Sequence, residues 1–101
     1  CLPVVRMNSE SVFHLFVIQM ENRQEFLEFL LSNNIRTGIH YPAPVHLQPA
    51  YKGRVSTARD MSVTESIVDR IISLPVYPEL SIQDAEKITN TIKSFFKKAD
   101  E

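Results

Sequence analysis

Between Ile35 and Tyr51 the chain reads IRTGIHYPAPVHLQPAY, and no helix or inner strand can run through that segment. Pro42, Pro44 and Pro49 each fix φ, lack an amide hydrogen and push the preceding residue toward extended backbone. Tyr41 to Pro44 is therefore a stiff strut, and any fold must be built from what flanks it. The same segment holds two of the three histidines (His40, His46) and two of the three tyrosines (Tyr41, Tyr51). Imidazole and phenol groups on a rigidly held loop are common hydrogen-bonding and proton-transfer groups of binding sites. The residues alone leave two readings open. Either His40 and Tyr41 face a ligand, or they only tie the loop to its own domain.

The flanks suffice for one modest core. At 101 residues and 44% hydrophobic, the chain predicts a single compact domain, 1–101. Eleven basic and twelve acidic residues give a net charge of −1, which provides no footprint for nucleic acid or an anionic membrane. The longest apolar run, Leu15 to Ile18, is too short to span a bilayer, and no signal-peptide pattern is present. With Cys1 as the only cysteine, no intramolecular disulfide can form, which points to a reducing, cytoplasmic setting. The opening Cys-Leu-Pro-Val-Val-Arg-Met-Asn lacks an initiating methionine and a helix start, so the chain is expected to be a fragment of a longer protein, with Cys1 at a frayed end.

Along the chain, Val12 to Met20 (VFHLFVIQM) has the pattern of a central strand covered on both faces, with His14 as a hydrogen-bonded core histidine rather than a site. Asn22 and Glu25 mark a capped helix whose apolar residues run from Phe26 to Leu31 until Asn33-Asn34 end it. Ile35 to Ile39 reads as a short extended piece, with Gly38 available for close backbone approach or an unusual φ. Lys52 to Asp60 reads as a mobile polar connection. Ser62 and Glu65 have capping-box spacing and predict a second helix to Ile71 or Ile72, followed by an extended Ser73–Pro78. Ser81 and Asp84 cap a third helix whose stripe is Ile82, Ala85, Ile88, Ile92, Phe95 and Phe96. Its Lys87, Lys93, Lys97 and Lys98 read as solvated surface. This order predicts an α+β fold with a small, mainly antiparallel sheet and helices packed on one face.

Complete catalytic constellations are missing. His40 and His46 are the only candidate metal ligands and have no cysteine or flanking carboxylate, so no metal is expected. Gly38 and Gly53 are isolated and form no phosphate cradle.

Taken together, FHLFVIQM, NIRTGIHYPAPVHLQPAY and SLPVYPELS before an amphipathic helix resemble the C-terminal small domain of DegT/StrS-type nucleotide-sugar aminotransferases, which depend on pyridoxal phosphate. The resemblance covers nearly the whole chain in order. It implies the small domain of a fold type I transferase whose larger, N-terminal domain carries the cofactor. It implies a homodimer with active sites at the subunit interface, moving an amino group, usually from glutamate, to a nucleotide-linked keto sugar for polysaccharide or other cell-surface sugar synthesis. Carried over, it marks His40 and Tyr41 as substrate-binding, with His46 and Tyr51 as further candidates. The Schiff-base lysine, the acidic partner of the pyridinium and the phosphate cup are not recognisable, so the chain alone is expected to bind no cofactor and to be inactive. Two alternatives stay open: a sugar dehydratase of the same family, or a stand-alone sugar- or peptide-binding module.

Overall fold

A computed structural model describes residues 1–57 and 60–99. Its elements are β1 (Phe16–Gln19), α1 (Arg23–Ser32), a 3-10 turn (Val45–Leu47), α2 (Ser62–Val68), β2 (Ile71–Leu74) and α3 (Ile82–Ala99). β1 and β2 form a two-stranded antiparallel sheet in which Phe16 faces Leu74, Val17 faces Ser73, and Ile18 faces Ile72. Because side chains alternate along a strand, Ile18 and Ile72 share one face with Phe16 and Leu74, while Val17 and Ser73 share the other. The first face carries the core: Ile18, Phe26, Leu30, Ile35 and Ile72 are buried, and Ile88, Ile92 and Phe95 of α3 close over them. The architecture is the expected α+β one, with α1 and α3 on one face of the sheet.

Aromatic packing joins those helices. Phe26 meets Phe95 edge-on at 5.0 Å between ring centroids, and Phe95 also lies 5.2 Å from Phe29. Burial of such a side chain stabilises by roughly 1.5–3 kcal/mol before packing specificity is counted. The end of α1 delivers Ile35 to the same core. Asn34 takes a positive φ of 62°. The amides of Asn34 and Ile35 then bond back to the carbonyls of Leu31 and Leu30 at 2.9 Å each. This is the Schellman closure, with asparagine in the left-handed position and the accompanying apolar contact between Ile35 and Leu30. The amphipathic α3 begins as its sequence predicts: the Asp84 amide donates to Ser81 Oγ at 3.0 Å. Its outer positions differ from the predicted stripe, for Ile82 is 75% exposed and Phe96 about half exposed. Lys87, Lys93 and Lys97 are exposed, and the Lys98 side chain lies outside the described ones.

Several local expectations are corrected. The strand is confined to Phe16–Gln19, and the residues before it are not covered. Val12 is 92% exposed, Phe13 has a positive φ of 45°, and His14 is exposed rather than a core histidine. One partner strand and helices on a single face leave nothing in the described residues to cover that run. Cys1 is tied rather than frayed: its backbone nitrogen donates to the Gln19 carbonyl at 2.8 Å, and its own carbonyl accepts from the Gln19 amide. Asn22 supplies no side-chain cap to α1. α2 ends at Val68, because Ile71 and Ile72 find cross-strand partners in β1 and tertiary pairing overrides the helical period. Ile35 to Ile39 contributes a single bridge, Gly38 to Ser73, instead of a strand. Within the polar connection, Lys52 and Arg54 donate backbone hydrogen bonds to the Gln48 and Tyr51 carbonyls; Ala58 and Arg59 lie outside the described residues.

The capping box of α2 does not form either. Ser62 donates through its hydroxyl to Asp60 Oδ2 at 2.7 Å and through its amide to Oδ1 at 3.0 Å. Those two donors, the hydroxyl foremost, hold the Asp60 carboxyl below its usual range. A lowered folded value means that the contribution is present above the unfolded value and is lost as pH falls through the folded one. On acidification the Ser62 amide resonance should therefore titrate with a midpoint below that of an unstructured aspartate, and Asp60→Asn should abolish the transition. A midpoint at or above the unstructured value would contradict the assignment.

Candidate functional site

The proline segment begins on the sheet and leaves it as a strut. Gly38 and Ser73 exchange two backbone hydrogen bonds, Gly38 amide to Ser73 carbonyl at 3.0 Å and Ser73 amide to Gly38 carbonyl at 2.8 Å. Two residues on, His40 Nδ1 lies 2.8 Å from Ser73 Oγ. One residue of β2 thus holds the loop through amide, carbonyl and hydroxyl. Gly38 is needed for that closeness: a Cβ there would lie 2.6 Å from His40 Cε1, inside any normal contact. The imidazole covers the backbone that a side chain would otherwise occupy.

Beyond His40 the chain projects outward. The His40–Tyr41 peptide is cis. The Tyr41 ring stands edge-on to His40 at 5.5 Å between centroids, and the residue is 68% exposed. The pair forms an aromatic and polar edge anchored at its inner end and open at its outer end. Farther along, the 3-10 turn places His46 Nε2 2.8 Å from Glu65 Oε1 of α2. The His46 side chain is 12% exposed and that of Glu65 48%, so this contact fastens the far end of the strut to a second element. Tyr51 follows in a turn closed by its amide donating to the Gln48 carbonyl at 2.9 Å, and it is 45% exposed.

The four sequence candidates therefore do not converge. His40 and Tyr41 form one pair over β2, His46 stands on α2, and Tyr51 lies beyond it. Two further residues belong to this arrangement, Ser73 and Glu65. Ser73 carried a signal, since a polar residue inside the apolar run of β2 must find a partner when buried. Glu65 carried a misleading one: its spacing from Ser62 suits a capping box, but its carboxylate reaches His46.

An open cleft of about 480 Å³, lined by Leu31, Arg36, Tyr77, Lys87 and Ile88 among others, lies apart from His40 and Tyr41. Its lining holds no histidine, whereas the loop sets an oriented imidazole beside a phenol. Among the described residues, no three histidine, cysteine or carboxylate side chains converge to hold a metal, and no helix is long and apolar enough to cross a membrane.

A seat for pyridoxal phosphate would need an enclosed lysine, an acidic partner for the pyridinium and a phosphate cup. Lys52, Lys87, Lys93 and Lys97 are all exposed, and none faces an enclosed site. The described residues do not fit that group.

Residues 2–93 match the model of the DegT/DnrJ/EryC1/StrS aminotransferase family. Over 93 residues the chain is 38% identical to the erythromycin biosynthesis sensory transduction protein EryC1 of Saccharopolyspora erythraea, covering 92% of this chain and 25% of that protein. Over 100 residues it is 33% identical to the dTDP-3-amino-3,4,6-trideoxy-alpha-D-glucose transaminase of Streptomyces venezuelae, covering 99% and 26%. Its fold matches the crystal structure of S. venezuelae DesV in complex with a ketimine intermediate, with a TM-score of 0.86 at 34% identity, covering 93% of this chain and 25% of that one. The chain thus spans about a quarter of the length of the relatives it matches.

Proposed function

The chain belongs to the DegT/DnrJ/EryC1/StrS aminotransferase family, and on that footing we propose that it is the C-terminal small domain of a nucleotide-sugar aminotransferase. The reaction is transfer of an amino group, with glutamate as donor, to a keto sugar carried on a nucleoside diphosphate. The cofactor is pyridoxal phosphate, seated on residues outside this chain, and the working enzyme is a cytoplasmic homodimer. The task of this domain is to hold the nucleotide sugar. His40 and Tyr41 make the principal contacts, and His46 and Tyr51 extend them along the loop.

The observation that carries this reading is the attachment of the loop to β2. The hydroxyl and backbone of Ser73 fix His40, and Tyr41 is presented outward beside it. A loop tied at both ends, to β2 through His40 and to α2 through His46, with Tyr41 exposed between them, is suited to receive a ligand delivered by a facing surface. The uncovered apolar residues support a larger parent: Leu2, Val4, Met7 and Val12 are each at least 68% exposed. Such a surface is ordinarily buried against another part of a protein.

The test is the absorption spectrum of the protein expressed from the full reading frame, before and after glutamate. The expected result is a yellow band of lysine-bound pyridoxal phosphate that glutamate bleaches, while residues 1–101 alone show neither band nor transamination. A band from the short chain would overturn the assignment of the cofactor seat to other residues. A full-length protein that binds cofactor without a glutamate response would indicate dehydratase chemistry, and one that binds none would indicate a cofactor-free binding module.

A further inference from the structure

We infer that Ser73 is a positioning residue that selects the tautomer of His40, so that the imidazole offers Nε2–H as a donor and the loop reads an acceptor oxygen on its ligand. This rests on the proposed substrate-binding role of the loop and adds a polarity to it.

Ser73 is 5% exposed and lies on the sheet face opposite Ile18 and Ile72. Its amide and carbonyl are both engaged with Gly38, and its hydroxyl lies 2.8 Å from His40 Nδ1. Among the described residues that hydroxyl has no other partner. A serine hydroxyl brings one proton and two lone pairs, and a neutral imidazole brings one N–H and one lone pair. If Nδ1 held the proton it would donate to Oγ, and the hydroxyl proton would be left buried without an acceptor. An unmet buried donor costs more than an ordinary hydrogen bond returns. If the hydroxyl donates to Nδ1 instead, both groups are satisfied and the imidazole proton resides on Nε2.

Nε2 has no partner among the described residues, and His40 is an exposed residue. It is the nitrogen open to a ligand, and the ligand atom that meets it must accept. A phosphate oxygen or a carbonyl or hydroxyl oxygen of the sugar does so, whereas an ammonium group at that point would face another donor.

The experiment uses the enzyme expressed from the full reading frame. Two-bond proton–nitrogen NMR on labelled histidine, with His40 identified by its disappearance in His40→Gln, should show the neutral ring protonated on Nε2. Ser73→Ala should weaken substrate binding about three- to tenfold, the worth of one oriented hydrogen bond, through KM with kcat nearly unchanged. Ser73→Thr, which keeps the hydroxyl, should bind as the parent does. Titration with thymidine or uridine diphosphate locates the oxygen. Weakening with the diphosphate alone assigns it to phosphate, and weakening only with the intact nucleotide sugar assigns it to the sugar. A ring protonated on Nδ1 overturns the inference even if Ser73→Ala fails to fold. Loss of binding in His40→Ala without loss in Ser73→Ala also overturns it, while sparing the role of the loop. Unchanged binding in His40→Ala overturns both.

Discussion

In the enzyme that carries this domain, His40→Ala should raise KM for the nucleotide sugar about ten- to hundredfold, the range for losing a hydrogen bond to a charged or strongly polar ligand group. Bound cofactor should stay at the parent level, since the described residues offer it no enclosed lysine or phosphate cup. The expected locus is binding, because Ser73 holds His40 at Nδ1 while Nε2 has no partner among the described residues. Tyr41→Phe should have a smaller effect in the same direction: the ring beside His40 is kept and only the hydroxyl is lost. Steady-state kinetics with a spectroscopic cofactor count separates the outcomes. Cofactor loss in proportion to activity would remove both residues from the substrate and return them to a structural role.

The second large effect concerns the core. Phe26→Ala should destabilise the domain by about 3–5 kcal/mol, as large-to-small changes at fully buried aromatic positions do. Phe26 is 0% exposed and joins α1 to α3 through Phe95 at 5.0 Å and Phe96 at 6.4 Å. A domain of this size has on the order of 5–15 kcal/mol in total, so the variant should approach or cross its unfolding threshold. Urea denaturation followed by circular dichroism would measure it, and a loss below about 1 kcal/mol would contradict the core as described. Phe26→Leu, which leaves a much smaller cavity, should cost markedly less.

The sequence carried the helices of this fold more clearly than its sheet. Helix α1 and its end were readable because Asn33 and Asn34 follow the last apolar turn, and the start of α3 because Ser81 and Asp84 have the spacing of a real cap. The sheet was read less well for a physical reason. Val12 to Met20 is almost continuously apolar, and hydrophobic pattern reports what must be buried somewhere, not what buries it. Only Ile18 of that run is buried within the described residues. Ile71 and Ile72 read as the end of a helix because a short apolar run has no decisive period, and their pairing with Gln19 and Ile18 is a long-range fact. At the candidate site, the stiffness of the loop followed from its prolines, while residue chemistry left the role of His40 and Tyr41 open and the family resemblance alone marked them for substrate. The anchors of the loop followed from neither: Ser73 is 33 residues from His40, and Glu65 is 19 from His46. Contacts over such separations depend on topology, which local spacing does not encode.

The most direct test of the central claim, that this domain holds the nucleotide sugar through its proline loop, is a crystal structure of the full-length enzyme with that substrate bound. The expected result is a substrate oxygen within hydrogen-bonding distance of His40 Nε2, Tyr41 against the same ligand, and the cofactor held by residues outside this chain. A bound nucleotide sugar that leaves His40 and Tyr41 facing solvent would contradict it.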